Sequence, residues 1–114
     1  MNATEIKGYL GELLACIVLI CKGFSIVARR YKTKYGEIDI IAKKRDLLVF
    51  VEVKTRKNDE KCFIAITPRQ MKRVQNASQI FISRHSQYAR FFTRYDVILV
   101  ANWSFPLHIE NITM

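Results

Sequence analysis

Asp39, Glu52 and Lys54 carry the chemistry most worth testing in this chain. They fall in the stretch Gly36-Glu37-Ile38-Asp39-Ile40-Ile41-Ala42-Lys43-Lys44-Arg45-Asp46-Leu47-Leu48-Val49-Phe50-Val51-Glu52-Val53-Lys54-Thr55-Arg56, where two β-rich runs flank a charged turn. If Arg45-Asp46 is the tip of a two-residue loop, Ala42 pairs with Val49, Ile40 with Val51 and Asp39 with Glu52. A four-residue loop from Lys44 to Leu47 keeps this register, and a three-residue loop breaks it. Strand side chains alternate between faces, so Glu37 and Asp39 are expected on the face of Glu52 and Lys54. Two carboxylates opposed across a ladder repel each other, and a divalent cation between them is the usual remedy. Hard cations such as Mg²⁺ take one or two carboxylates plus waters and substrate phosphate. A lysine beside such a cation can orient or deprotonate a water, or neutralise charge building on a phosphate. The pattern is what metal-assisted phosphodiester hydrolysis requires.

Asp39 followed by Glu52-Val53-Lys54 resembles the core of the PD-(D/E)XK nuclease superfamily. More narrowly, Gly11-Glu12-Leu13-Leu14-Ala15, Arg29-Arg30-Tyr31, Gly36-Glu37-Ile38-Asp39, Phe50-Val51-Glu52-Val53-Lys54-Thr55-Arg56 and Arg94-Tyr95-Asp96-Val97 resemble the YraN family in order and spacing. That family of small bacterial proteins is described as endonuclease-like and is similar to archaeal Holliday-junction resolvases. The resemblance runs from about Gly8 to about Val100. It implies a restriction-endonuclease-like core that cuts DNA, including branched or junction DNA, in repair or recombination. Asp39 and Glu52 would ligate Mg²⁺ or Mn²⁺ with the Val53 carbonyl as a backbone ligand. Lys54 would act on the water or the developing charge, and Glu12 would add a carboxylate from the N-terminal helix. Arg30, Lys34, Arg56, Arg69, Gln70 and Lys72 would hold the nucleic acid. Gln70 stands where the family usually has a lysine, and related nucleases do use glutamine in this helix. Junction resolution needs paired incisions, so a resolvase reading implies a homodimer.

The residues alone leave other readings open. Glu12 reads equally as a solvent-facing helix glutamate and Gln70 as a helix cap. The basic surface would also serve a nucleic-acid-binding accessory protein without catalysis. A third reading is an interaction protein whose hairpin acids form salt bridges with Lys54 and Arg56.

Composition narrows the partner. The 114 residues suit one domain with one modest core. Nineteen Lys and Arg against ten Asp and Glu give +9 and a pI near 9.8, so a polyanion is the first partner to consider. Cys16, Cys21 and Cys62 form no Cys-x-x-Cys pair and leave an odd one over. That suggests neither a zinc site nor a disulfide framework, and reduced thiols fit a cytoplasmic protein. The apolar run Leu13 to Cys21 falls short of the roughly 20 residues a membrane span needs. Glu5, Lys7 and Glu12 precede it in place of a cationic signal-peptide start, so a buried helix is expected.

The elements that must position these residues follow from capping and periodicity. Asn2 as N-cap, Glu5 three residues later and Gly23 as a stop predict a helix from about Ala3 to Lys22. Ile6, Leu10, Leu13, Leu14, Ile17, Val18 and Cys21 are expected to face the sheet. Phe24 to Ala28 reads as a strand, and Arg29 to Tyr35 as a basic connection. In that connection Tyr31 and Tyr35 either stack on exposed bases or cover the core edge. Lys57 to Lys61 reads as a polar loop near the site. Thr67, Pro68 and Gln70 spell a capping box for a second helix running to about Arg84, with Val74, Ala77, Ile80 and Phe81 inward. Arg69, Lys72 and Arg73 oppose the dipole at its start, a placement that binding a phosphate there would explain. Tyr95 to Ala101 is expected as a strand, Asn102 to Phe105 as a turn and Pro106 to Ile112 as an edge strand. Asp96 reads as structural, paired with an arginine, and His85 and His108 as surface histidines. The order αβββαββ predicts an α/β fold with a mixed central sheet and helices packed on it.

Overall fold

The computed structural model describes residues 2–56, 66–101 and 105–112. Helix α1 spans Ala3–Cys21, followed by strands β1 (Ser25–Thr33), β2 (Gly36–Lys44) and β3 (Leu47–Arg56). Helix α2 (Pro68–Arg84), a short 3₁₀ turn (Ser86–Tyr88), β4 (Phe92–Ala101) and β5 (Leu107–Ile109) complete the order. The strands form one sheet in the order β1-β2-β3-β4-β5. All neighbours are antiparallel except β3 and β4, whose parallel pairing needs a crossover, and α2 lies on that crossover. This is the mixed α/β architecture expected of a restriction-endonuclease-like core. The loop expected from Lys57 to Lys61 lies outside the described residues, as do Cys62 and most of the turn before β5. No helix among the described residues is long and apolar enough to cross a membrane.

The hairpin register is the one that a two- or a four-residue loop centred on Arg45-Asp46 allows. Lys44 pairs with Leu47, Ala42 with Val49 and Ile40 with Val51 around a two-residue turn in which Arg45 has a positive φ of 57°. β3 lies between β2 and β4, so its apolar run is covered on both faces. Val49 and Val51 pack with Ala15 and Leu19 of α1. Leu48 and Phe50 pack with Val74, Ala77 and Phe81 of α2. Each fully buried Leu, Ile or Phe of these two layers contributes about 1.5–3 kcal/mol.

α1 turns a different face inward from the one its large side chains suggest. Ile6, Leu10, Leu14, Ile17 and Cys21 are exposed, with Leu10 at 52% and Ile17 at 55%, while Ala15, Cys16 and Leu19 are buried. The cause is Gly11. A Cβ there would lie 2.6 Å from the Thr55 hydroxyl oxygen, so its absence lets the helix come down onto β3. Ala15, Cys16 and Leu19 then face the sheet, and the stripe of Leu10, Leu14 and Ile17 stays outside.

β1 continues to Thr33, well past Ala28, so most of the expected basic connection is strand. Arg29 pairs with Ile40, Tyr31 with Ile38 and Thr33 with Gly36. Charged side chains on an edge strand hide its periodicity, since one flank always faces water. Tyr31 packs edge-on against Phe81 at 5.2 Å, which assigns it to the core edge rather than to base stacking. Its hydroxyl is buried with no hydrogen-bond partner among the described residues. Tyr35 is exposed in the turn after β1.

Candidate catalytic cleft

Two glycines bring both helices against the strands that carry the acids. Gly11 seats α1 on Thr55, one residue beyond Lys54, and sets Glu12 at the sheet. Gly36 opens β2, and a Cβ there would collide with the Arg73 carbonyl oxygen, so α2 passes directly over the start of the Gly36 to Asp39 run. The glycines beside Glu12 and Glu37 therefore have a packing reason that side-chain chemistry alone did not reveal.

The antiparallel pairing of β2 with β3 runs from Lys44 and Leu47 as far as Ile40 and Val51, and the expected pair of Asp39 with Glu52 lies beyond its end. One residue further on, Asp39 Oδ2 accepts the backbone N–H of Val53 at 2.8 Å. That bond holds Asp39 against Glu52-Val53-Lys54. Burial pushes the Glu52 carboxyl up to about 9, helped by its hydrogen bond with Asp39 and the charges of Asp39 and Glu37, while Lys54 opposes the shift. Glu37, Asp39 and Lys54 are all close enough to act on the Glu52 charge. Two carboxylates this close favour a proton on Glu52, and a cation beside them would relieve the same repulsion.

The donor set bears on which cation fits. Asp39, Glu52 and the Val53 carbonyl are hard oxygen donors, and Mg²⁺ needs only one or two carboxylates plus waters and phosphate. Among the described residues no group of three or more His, Cys, Asp or Glu side chains is arranged to hold a metal, so a cation at Asp39 and Glu52 would need ligands beyond these side chains.

Beside Asp39 an open cleft of about 230 Å³ is lined by Glu12, Arg30, Lys32, Glu37, Ile38 and Asp39. Glu52 and Lys54 do not line it; Glu52 joins it through the Asp39 carboxyl. Glu12 is not the freely solvated glutamate that spacing also allowed. Its side chain is only 15% exposed, and its Oε1 lies 3.1 Å from Arg30 Nε and 4.0 Å from Arg29 Nη2. The hydrogen bond and charge of Glu12, with a contribution from Asp39, raise the Arg30 pKa.

The residues expected to hold nucleic acid differ in their relation to the cleft. Arg30 lines the cleft, and so does Lys32, which sequence reasoning passed over. Lys34 stands over the exposed Tyr35 ring at 5.9 Å. Arg69 and Lys72 are exposed on the first turns of α2 and are not part of the cleft lining. Gln70 is committed to the capping box: its side chain accepts the Thr67 N–H at 3.1 Å, and its own N–H donates to the Thr67 hydroxyl at 3.1 Å. Arg56 ends β3, with its side chain outside the described residues.

Asp96 has the structural role expected of it. It is buried, and it accepts Arg94 Nε at 2.9 Å, Arg94 Nη2 at 3.0 Å, and the Asn111 N–H at 2.9 Å. His108 corrects the expectation of a surface histidine. Its side chain is 2% exposed, with Nε2 2.8 Å from Asp96 Oδ2 and Nδ1 2.7 Å from Lys22 Nζ. β5 brings His108 to β4, and no local pattern announces that contact. His85 is half-buried as well, stacked on Phe81 at 4.0 Å.

The family model described as "Uncharacterised protein family UPF0102" matches residues 11–100. The chain is 43% identical over 105 residues to a UPF0102 protein of Mesorhizobium japonicum, covering 92% of this chain and 84% of the relative. It is 47% identical over 102 residues to one from a Bradyrhizobium species, covering 90% and 75%. A Brucella canis relative is 42% identical over 103 residues, covering 90% and 82%.

Proposed function

The chain belongs to the UPF0102 family, which is the YraN family of the sequence resemblance, and we propose that it is a metal-dependent endonuclease hydrolysing phosphodiester bonds in DNA. The observation that carries this reading is Asp39, which lines a cleft shared with Arg30 and Lys32 and is held against Glu52-Val53-Lys54 by its bond from the Val53 N–H. A half-buried carboxylate pair costs stability in the free protein, which is a reason to look for a ligand that repays it.

Asp39 and Glu52, with the Val53 carbonyl, would hold Mg²⁺ or Mn²⁺. The ion would supply Lewis-acid charge stabilisation at the phosphoryl group. Glu52 must first give up its proton, so cation and proton compete for the pair. Lys54 places an ammonium beside the same carboxylates, where it can orient the attacking water or offset charge growing on the phosphate. Arg30 and Lys32 line the approach and would bind the sugar-phosphate backbone. Nicking of supercoiled plasmid DNA in Mn²⁺ tests the reading. Nicking by the wild type and its loss in Lys54→Ala is expected, and undiminished nicking in that variant would overturn the assignment of Lys54.

One observation favours a second reading, a nucleic-acid-binding accessory protein without catalysis. Asp39 Oδ2 is already taken by the Val53 N–H, which leaves the pair fewer free oxygens for a cation. That reading predicts binding with no metal-dependent cutting of any substrate.

A further inference from the structure

Neighbouring side chains on a regular strand point to opposite faces, yet Arg29 and Arg30 both reach the same groups of α1. Arg29 lies 4.0 Å and Arg30 3.1 Å from Glu12, and their guanidinium carbons stand 5.8 and 5.5 Å from the centre of the Tyr9 ring. The backbone explains how. Arg30 has a φ of 51°, in the left-handed region that non-glycine residues avoid. The sheet shows the same irregularity on the neighbouring strand. Ile38 packs with the α2 layer and Ile40, two residues on, with the α1 layer, and the pairing of Arg29 with Ile40 and Tyr31 with Ile38 sets Arg30 opposite Asp39.

Stability does not account for this strain. Arg29 and Arg30 are 33% and 48% exposed, and ion pairs that open to water contribute little. Two guanidiniums meeting on one carboxylate of the cleft lining, backed by an aromatic ring, are instead suited to the non-bridging oxygens of a phosphodiester, which guanidinium forks bind in pairs. We infer that Arg29 and Arg30 form the seat for one backbone phosphate of a nucleic acid, and that Glu12 occupies this seat as an internal counter-ion in the free protein. Tyr9 positions the two guanidiniums, and an incoming phosphate displaces the Glu12 carboxylate. This rests on the nuclease reading only for the identity of the polyanion, because the seat exists whether or not the chain cuts.

The test is equilibrium binding of fluorescein-labelled single-stranded DNA in EDTA, across a salt series. Without metal, it is blind to cleavage and stands apart from the plasmid experiment. Glu12→Gln should bind about tenfold tighter than wild type at low salt, because the phosphate no longer has to displace a carboxylate. Glu5→Gln makes the same charge change at the start of α1, away from the cleft, and should stay within about twofold of wild type. Arg30→Gly keeps the backbone conformation and removes the guanidinium. It should weaken binding and flatten the slope by about 0.7 on its own, and should abolish the gain when combined with Glu12→Gln. Binding by Glu12→Gln no tighter than that of Glu5→Gln would overturn the inference. So would a gain that survives in the double variant, or an Arg30→Gly protein that melts as wild type does and binds unchanged.

Discussion

The Asp39 carboxylate accepts the backbone N–H of Val53 at 2.8 Å, tying the acid of β2 to the residue between Glu52 and Lys54. One hydrogen bond thus fixes the two halves of the charged cluster relative to each other. It also holds Asp39 close enough to Glu52 to share a proton with it.

The pH dependence of stability follows from that sharing. Glu52 titrates near 9 in the folded chain against a reference of 4.5, so between those values the folded state holds a proton that the unfolded state has lost. Stability from this group is complete below about 4.5 and is lost as pH rises towards 9, at up to about 1.4 kcal/mol per pH unit. Metal-free thermal melts should show this fall, and Glu52→Gln should flatten it. Mg²⁺ or Mn²⁺ should bind more tightly as pH rises, because the proton must leave first. A wild-type stability that is level from pH 5 to pH 9 would contradict the shared proton.

Gly36→Ala would drive a Cβ into the Arg73 carbonyl, where backbone and not a side chain must give way. The expected loss is about 1–3 kcal/mol in urea unfolding. Gly11→Ala meets the Thr55 hydroxyl, a side-chain atom, and should lose less. Equal losses would mean that α2 is not held against β2 as described.

The inversion of α1 gives a contrast between residues of similar size. Leu19 is fully buried and Ile17 is 55% exposed, although both are large and apolar. Leu19→Ala should cost about 2–5 kcal/mol, and Ile17→Gln no more than about 0.5 kcal/mol. Chemical denaturation of the two variants decides it, and a large loss in Ile17→Gln would contradict the exposed face.

Asp96 is buried, a setting that by itself would raise its pKa. Hydrogen bonds from His108, Arg94 and the Asn111 N–H outweigh burial and hold it below the usual carboxylate value. Its contribution is therefore present above about 3.8 and is lost as pH falls through the lowered value. Asp96→Ala leaves Arg94 and His108 without their shared acceptor and should cost about 3–5 kcal/mol at neutral pH, read from the shift in the unfolding midpoint.

Much of this arrangement is legible in the sequence where the signal is local. The hairpin register follows from Arg45-Asp46 and the alternation around it, and the start of α2 follows from Thr67, Pro68 and Gln70 in a row. The strand and helix order follows too. What escapes depends on contacts between distant residues. The inward face of α1 is set by how closely Gly11 lets it approach Thr55, and hydrophobic periodicity favours the bulky stripe instead. His108 is buried because Asp96 waits on another strand. The left-handed backbone of Arg30 cannot be read from an arginine at all, and with it the pairing of Arg29 and Arg30 on Glu12 stays hidden.

The nuclease reading stands or falls on cutting. The most direct measurement is cleavage of labelled single-stranded, duplex, flapped and four-way-junction DNA, with structured RNA alongside, in Mg²⁺ or Mn²⁺ and in EDTA, comparing wild type with Asp39→Ala. The account predicts DNA cleavage that needs the metal and disappears in Asp39→Ala, while that variant still binds. Absence of cleavage by the wild type on every substrate, with binding intact, would contradict it and leave the chain a nucleic-acid-binding protein.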